Sequence, residues 1–145
     1  MNQILLLVLG GFILSIVTGP IVYIFGDLST AGPLRGEKLT LGPILLAVVI
    51  VPILETLLHQ YFIYEILIRY PFFKNRKYLI FLISAILFGL LHFYSLAYIV
   101  WAFFMGIYFI ICFDFFRYSN RNAYWLTCLL HGIRNSIALL IDTMF

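Results

Sequence analysis

Sorted into apolar and polar positions, the chain falls into five long apolar runs, at about residues 3–25, 41–68, 78–98, 99–114 and 123–141, divided by short polar gaps. Most reach or approach the ~20 residues that a helix needs to cross the hydrocarbon core of a bilayer. The runs are unbroken rather than alternating with period two, and an open sheet cannot satisfy its backbone in lipid, so the pattern predicts helices and no strands. From Tyr78 to Phe113 there is no Asp, Glu, Lys or Arg. That stretch is too long for one span, so the chain must turn back, near His92 to Ala97. The expected architecture is an all-α membrane protein, a polytopic bundle of about five transmembrane helices forming a single domain over residues 1–145.

Composition agrees: 64% of the 145 residues are hydrophobic and 10% charged, far from the roughly 45–50% apolar share of soluble domains. The formal charge of +3 suggests no nucleic-acid partner, because the basic residues sit in gaps between apolar runs rather than along an aromatic-interleaved stripe. They act as topology signals instead. Arg69, Lys74, Arg76, Lys77, Arg117 and Arg121 fall on one side of a five-helix bundle, against Arg35 and Lys38 on the other. The expected orientation is an N-terminus in the cytoplasm and a C-terminus outside. The loop GDLSTAGPLRGEKLTLG reads as solvated. Ser29 and Ala31 make only a weak cleavage signal, and the first run is longer than a signal-peptide core, so it is read as a retained helix that Thr18-Gly19-Pro20 kinks or ends early. Cys112 and Cys128 have no metal-ligand spacing and read as small core residues.

Charge is costly in such runs, roughly 2.5–3.5 kcal/mol for an ionisable group at a helix centre on insertion scales. Yet the second run contains VPILETLLHQ, with Glu55, His59 and Gln60, and all three histidines of the chain (His59, His92, His131) lie within apolar runs, as do Arg134 and Asn135. Structural polar networks knit membrane helices together at about 0.6 kcal/mol per bond, so composition alone leaves both roles open. Depth favours a site. Glu55 lies fourteen residues before Arg69, His92 fifteen after Lys77, and Asn135 fourteen after Arg121, with His131 one turn nearer the basic side. All four therefore sit about 20 Å in from the basic anchors, at nearly one level. Phe88 with His92, His131 with Asn135, and Glu55 with His59 are each i, i+4 pairs on one helix face.

A glutamate and a histidine shielded from bulk water can hold one water and take its proton, and a second histidine with an asparagine supplies donors to an oxyanion. This is a hydrolase layout. GxSxG, HExxH and a pair of intramembrane aspartates are all absent, which removes the common serine, zincin and aspartyl arrangements. Ser84 and Ser136 read as backbone-bonded hydroxyls.

The order and types of these residues resemble the CAAX-protease and bacteriocin-processing (CPBP) intramembrane endopeptidases, which carry EExxxR on one helix, FxxxH on a later one and HxxxN or HxxxD further along. Here Glu55 matches the leading glutamate, FGLLH supplies Phe88 and His92, and HGIRN supplies His131 and Asn135; AFFMG, Ala102 to Gly106, resembles the small-residue-rich helix between them. The resemblance covers residues 41–140 as a motif-bearing protease core. It departs where Thr56 replaces the second glutamate and Gln60 the arginine.

The resemblance implies an intramembrane endopeptidase that hydrolyses a peptide bond of a membrane-associated peptide or protein. Glu55 would be the general base, His92 the holder of the attacking water, and His131 and Asn135 the oxyanion donors. Thr56 and Gln60 are expected to position Glu55 by neutral hydrogen bonds, and His59 to be structural. Arg134 has two readings, a partner for a substrate carboxylate or for a polar group of the second helix. Glu65 and Arg69 read as an i, i+4 anchor pair. No cofactor is expected; the alternative is a zinc site of Glu55, His92 and His131. The alternative function is a non-catalytic immunity or scaffold protein that keeps the fold.

Overall fold

The structure is a computed structural model that describes residues 3–26 and 40–144. The loop with Arg35 and Lys38, and the weak cleavage signal at Ser29 and Ala31, lie outside the described residues. Among those described there are five long helical segments and no strand: α1 (Gln3–Tyr23), α2 (Leu41–Leu67), α3 (Lys77–Leu90), α4 (Leu96–Tyr118) and α5 (Ala123–Met144), with one helical turn at Pro71–Lys74. Helices α1, α2 and α4 are long and apolar enough to cross a membrane, whereas α3 is a shorter apolar helix. The break between α3 and α4 occupies residues 91–95, so His92 sits in a turn at the end of a short helix rather than within a span. Large apolar side chains stay exposed on the outer faces, Ile16 at 74% and Val17 at 61% among them, the surface that lipid solvates.

Helix α1 does not end at Thr18-Gly19-Pro20 but runs on to Tyr23 with Pro20 inside it. The Ser15 and Thr18 hydroxyls donate to the Gly11 and Leu14 carbonyls of their own helix at 3.1 and 2.8 Å.

Helix α2 is not a uniform α-helix. It widens to π-helix at Leu46–Ile50 and again at Thr56–Phe62, leaving an α-helical turn, Val51–Glu55, between the two. Each widening has a cause. Pro52 has no N–H, so the Val48 carbonyl lacks its usual i+4 donor, and the Val51 N–H instead reaches back five residues to Leu46. Further on, side chains enter the backbone ladder: His59 Nδ1 lies 3.0 Å from the Glu55 carbonyl, and the Ser84 hydroxyl donates to the His59 carbonyl at 2.7 Å.

Small residues set how closely the helices approach. A Cβ on Gly106 would lie 3.0 Å from Ala85 Cα and 3.1 Å from Phe88 Cβ, and one on Gly89 would lie 3.0 Å from the Ile99 carbonyl. Helices α3 and α4 therefore pack nearly backbone to backbone, as small residues permit in membranes. The α2–α5 crossing is tighter still, since a Cβ on Gly132 would meet the Val48 carbonyl oxygen at 2.6 Å. The carbonyl released by Pro52 is the one that abuts Gly132.

At the basic end, Asp114 accepts from Tyr64 and from Lys77, the latter at 2.8 Å. Glu65 does not form its expected pair with Arg69. Both of its oxygens are taken by Arg117 of α4, at 2.6 and 3.2 Å; a guanidinium fork on a neighbouring helix engages both oxygens at once. Cys112 and Cys128 are free and buried.

Candidate functional site

The close approach of α2 and α5 and that of α3 and α4 carry three side chains to one point. Glu55 lies at the end of the α-helical turn of α2, with its Oε1 3.5 Å from His92 Nε2 and its Oε2 3.4 Å from His131 Nε2. Each imidazole thus faces a different oxygen of one carboxylate. Both separations exceed a direct N–H···O bond, which leaves the pairs loosely joined.

The ring nitrogens have distinct roles. His92 Nδ1 donates to the Phe88 carbonyl at 2.7 Å, so in the neutral ring Nε2 presents a lone pair to Glu55. His131 Nδ1 is buried without a hydrogen-bond partner. A buried orphan N–H is rarer than an orphan acceptor, which puts the neutral ring's proton on Nε2, towards Glu55. One imidazole is therefore an acceptor and the other a donor at the same carboxylate.

Phe88 holds the imidazoles in place. Its ring centroid is 4.6 Å from that of His92, 5.9 Å from His131 and 5.4 Å, edge-on, from His59. The i, i+4 spacing of Phe88 and His92 thus serves both through the Phe88 carbonyl, which fixes Nδ1, and through its ring. Phe109 stacks on His131 at 4.2 Å and Tyr98 on His92 at 5.8 Å. Nothing in the sequence singled out these two, being two aromatics among fifteen Phe and ten Tyr. His59 is bonded to the backbone of its own helix, packs edge-on against Phe88 and does not line the cavity above Glu55.

A cavity of about 220 Å³ opens over these groups, lined by Glu55, His92, His131 and Asn135 together with Arg134 and an aromatic wall that includes Tyr98 and Trp101. Its lining comes from the parts of the helices remote from the basic loops. Asn135 is only partly available, because its Nδ2 donates to the Ala47 carbonyl at 3.0 Å; the other N–H of that amide remains for a ligand. Arg134 lies over the Trp101 ring, 4.2 Å from its centroid.

Thr56 and Gln60 do not do what was expected of them. Both are fully buried, but neither bonds to Glu55: the Thr56 hydroxyl is beside the Cys128 thiol, and both ends of the Gln60 amide have no hydrogen-bond partner. The widened helix accounts for part of this: the π-helical register begins at Thr56, so the side chains after Glu55 no longer follow the α-helical spacing that placed them beside it. Among the described residues no group of three or more His, Cys, Asp or Glu is disposed to hold a metal ion. The two imidazoles of the alternative zinc set address separate oxygens of Glu55. Ser84 and Ser136 donate to the backbone carbonyls of His59 and Gly132, as expected.

Comparison with curated proteins and with solved structures found no match. One family model matches residues 37–137, described as type II CAAX prenyl endopeptidase Rce1-like. That span takes in the Glu55 helix, the Phe88–His92 pair and the His131–Asn135 pair, and this chain belongs to the Rce1-like family of type II CAAX prenyl endopeptidases.

Proposed function

We propose that this protein is a glutamate-dependent intramembrane endopeptidase acting on a membrane-associated peptide or protein. The observation that carries the reading is one carboxylate flanked on separate oxygens by an imidazole acceptor and an imidazole donor, beneath a cavity wide enough for more than a water. Glu55 Oε1 and His92 Nε2 are two acceptors 3.5 Å apart, a spacing that one water can bridge by donating a hydrogen to each. Glu55 takes the proton as the water oxygen bonds to the substrate carbonyl carbon, and the carbonyl oxygen becomes an oxyanion. His131 Nε2–H and the second N–H of Asn135 are the donors that face it. The intermediate then collapses, the C–N bond breaks, and Glu55 returns its proton to the leaving amine. No step of this sequence needs a cofactor. The proposed orientation has the N-terminus in the cytoplasm and the C-terminus outside.

The test is cleavage of an N-acylated peptide library by the full chain in lipid nanodiscs, with products read by mass spectrometry. Glu55→Gln keeps size and shape and should abolish cleavage; His92→Ala should come close to that, and His131→Ala should lose about 10²–10³-fold. Full cleavage by Glu55→Gln would end the reading. Unchanged cleavage in the presence of a strong chelator is expected, and loss of it would revive the zinc alternative. The second function, a non-catalytic immunity or scaffold protein, is favoured by one observation, the loss of the family's glutamate and arginine at Thr56 and Gln60. It requires that Glu55→Gln leave the biological effect intact.

A further inference from the structure

We propose that the basic end of the bundle binds the headgroups of anionic phospholipids in the leaflet it faces, through Arg69, Lys74, Arg76 and Arg121. This surface lies at the opposite end of the helices from the cavity, and binding there is independent of the protease reading.

Charge at this end falls into two layers. In the inner one, Asp114 of α4 accepts from Tyr64 of α2 and from Lys77 of α3, and Glu65 of α2 holds Arg117 of α4. Both acids of this end are thereby used on cations of the helices themselves, and the inner layer is neutral. The same contacts tie the helix ends together, so that the connection at residues 68–76 and the one at residues 119–122 emerge at one end of the bundle. Arg69, Lys74, Arg76 and Arg121 lie in these connections, where there is no acid. All four are exposed and form no ion pair among the described residues. Setting a topology requires only an excess of basic residues. It does not require that every nearby acid be drawn off to inner cations, which leaves the outer layer purely positive.

Position names the anion. Arg69 comes two residues after the end of α2 and Arg121 three after the end of α4, both helices long and apolar enough to cross a membrane. Between and beside the cations stand Tyr70, Phe72, Tyr78 and Tyr118, which are 57%, 55%, 64% and 86% exposed, and the Arg76 guanidinium carbon is 4.7 Å from the centroid of the Phe72 ring. Aromatic rings at the ends of membrane helices lie at headgroup level. The cations among them therefore meet lipid phosphates before any anion that approaches through water. A basic cluster immediately beyond a membrane helix is drawn to anionic lipid, each cation strengthening the attraction about fivefold.

Trp125 makes the binding observable. It is two residues into α5 and 55% exposed, whereas Trp101, the other tryptophan, lies towards the far end of α4, about 25 Å along the helix from Tyr118. The full chain carrying Trp101→Phe would be placed in phosphatidylcholine bilayers with a minor share of brominated lipid, either phosphatidylglycerol or phosphatidylcholine, while Trp125 emission is followed. Bromine on an acyl chain quenches only a neighbouring indole, so a titration of each lipid reads its occupancy beside Trp125. Phosphatidylglycerol should be preferred about fivefold or more, and high salt should weaken the preference because the charges are exposed. Adding Arg69→Gln, Lys74→Gln, Arg76→Gln and Arg121→Gln together should bring it to about one.

Equal quenching by the two lipids would overturn the proposal, as would a preference that survives the fourfold change. Loss of the preference on adding inorganic phosphate at constant ionic strength would also overturn it, by assigning the cations to a soluble anion. If the fourfold variant fails to fold or to insert, Arg121→Gln alone decides: one exposed residue close to the reporter, it should lower the preference part of the way, and an unchanged preference would count against the surface.

Discussion

The α2–α5 crossing is the contact on which the candidate site depends, and Gly132→Ala would test it directly. A Cβ at this position falls 2.6 Å from the Val48 carbonyl oxygen, where ordinary contact begins at 3.4 Å, so the helices must part by about 0.8 Å, the difference of the two. Backbone meets backbone here, and no rotamer change can relieve it. Overpacking of this kind costs typically about 1–3 kcal/mol. His131 precedes Gly132, and its 3.4 Å approach to Glu55 would open by a similar amount; a displacement near 1 Å in a reacting constellation is worth about 10²-fold in rate. The assay pairs thermal unfolding in detergent with cleavage in nanodiscs, and Gly10→Ala is the control, since a Cβ there meets nothing within 4 Å. A second arm checks the cause. Pro52→Ala returns an N–H to the ladder and draws the Val48 carbonyl back into its own helix, so the double variant should be less damaged than Gly132→Ala alone. Wild-type stability and rate in Gly132→Ala, or equal damage in the single and double variants, would refute the reasoning.

Three further outcomes follow from the geometry. Phe88→Ala removes the ring against which three imidazoles pack and should destabilise the fold by about 3–5 kcal/mol with loss of cleavage, while Phe88→Leu should recover much of the stability but less of the activity; the comparison is read from unfolding curves and rates side by side. Gln60→Met replaces a fully buried amide whose two ends lack partners, and because each such orphan costs about 1–3 kcal/mol it should be neutral or stabilising; a fall in unfolding temperature would show that the amide is satisfied after all. For orientation, Asn75→Cys should react with a membrane-impermeant thiol reagent only from the cytoplasmic side and Tyr94→Cys only from outside, against a low background from the buried Cys112 and Cys128; the reverse pattern would invert the proposed topology.

The sequence by itself determined the membrane class and the helices, because both follow from local properties: unbroken apolar runs admit only helices in lipid, and a charge-free stretch from Tyr78 to Phe113 has to turn. It also nominated Glu55, His92 and His131, since ionisable groups in such runs are conspicuous and their distances from the basic loops could be counted. It placed the turn near His92, but it could not say that Glu65 would pair with Arg117 and not Arg69, because α2 ends at Leu67, before Arg69, and the guanidinium that reaches both Glu65 oxygens comes from α4. The expectation for Thr56 and Gln60 failed for a related reason. Counting by 3.6 residues assumes an α-helix, and Pro52, His59 and Ser84 widen α2 on both sides of Glu55. Tertiary structure alone decided the rest: which ring nitrogen faces the carboxylate, set by the Phe88 carbonyl and by the burial of His131; that Phe109 and Tyr98 back the imidazoles; and that Arg134 rests on Trp101. Each depends on contacts between helices distant in the chain, where the sequence records a residue's identity and not which neighbour it meets.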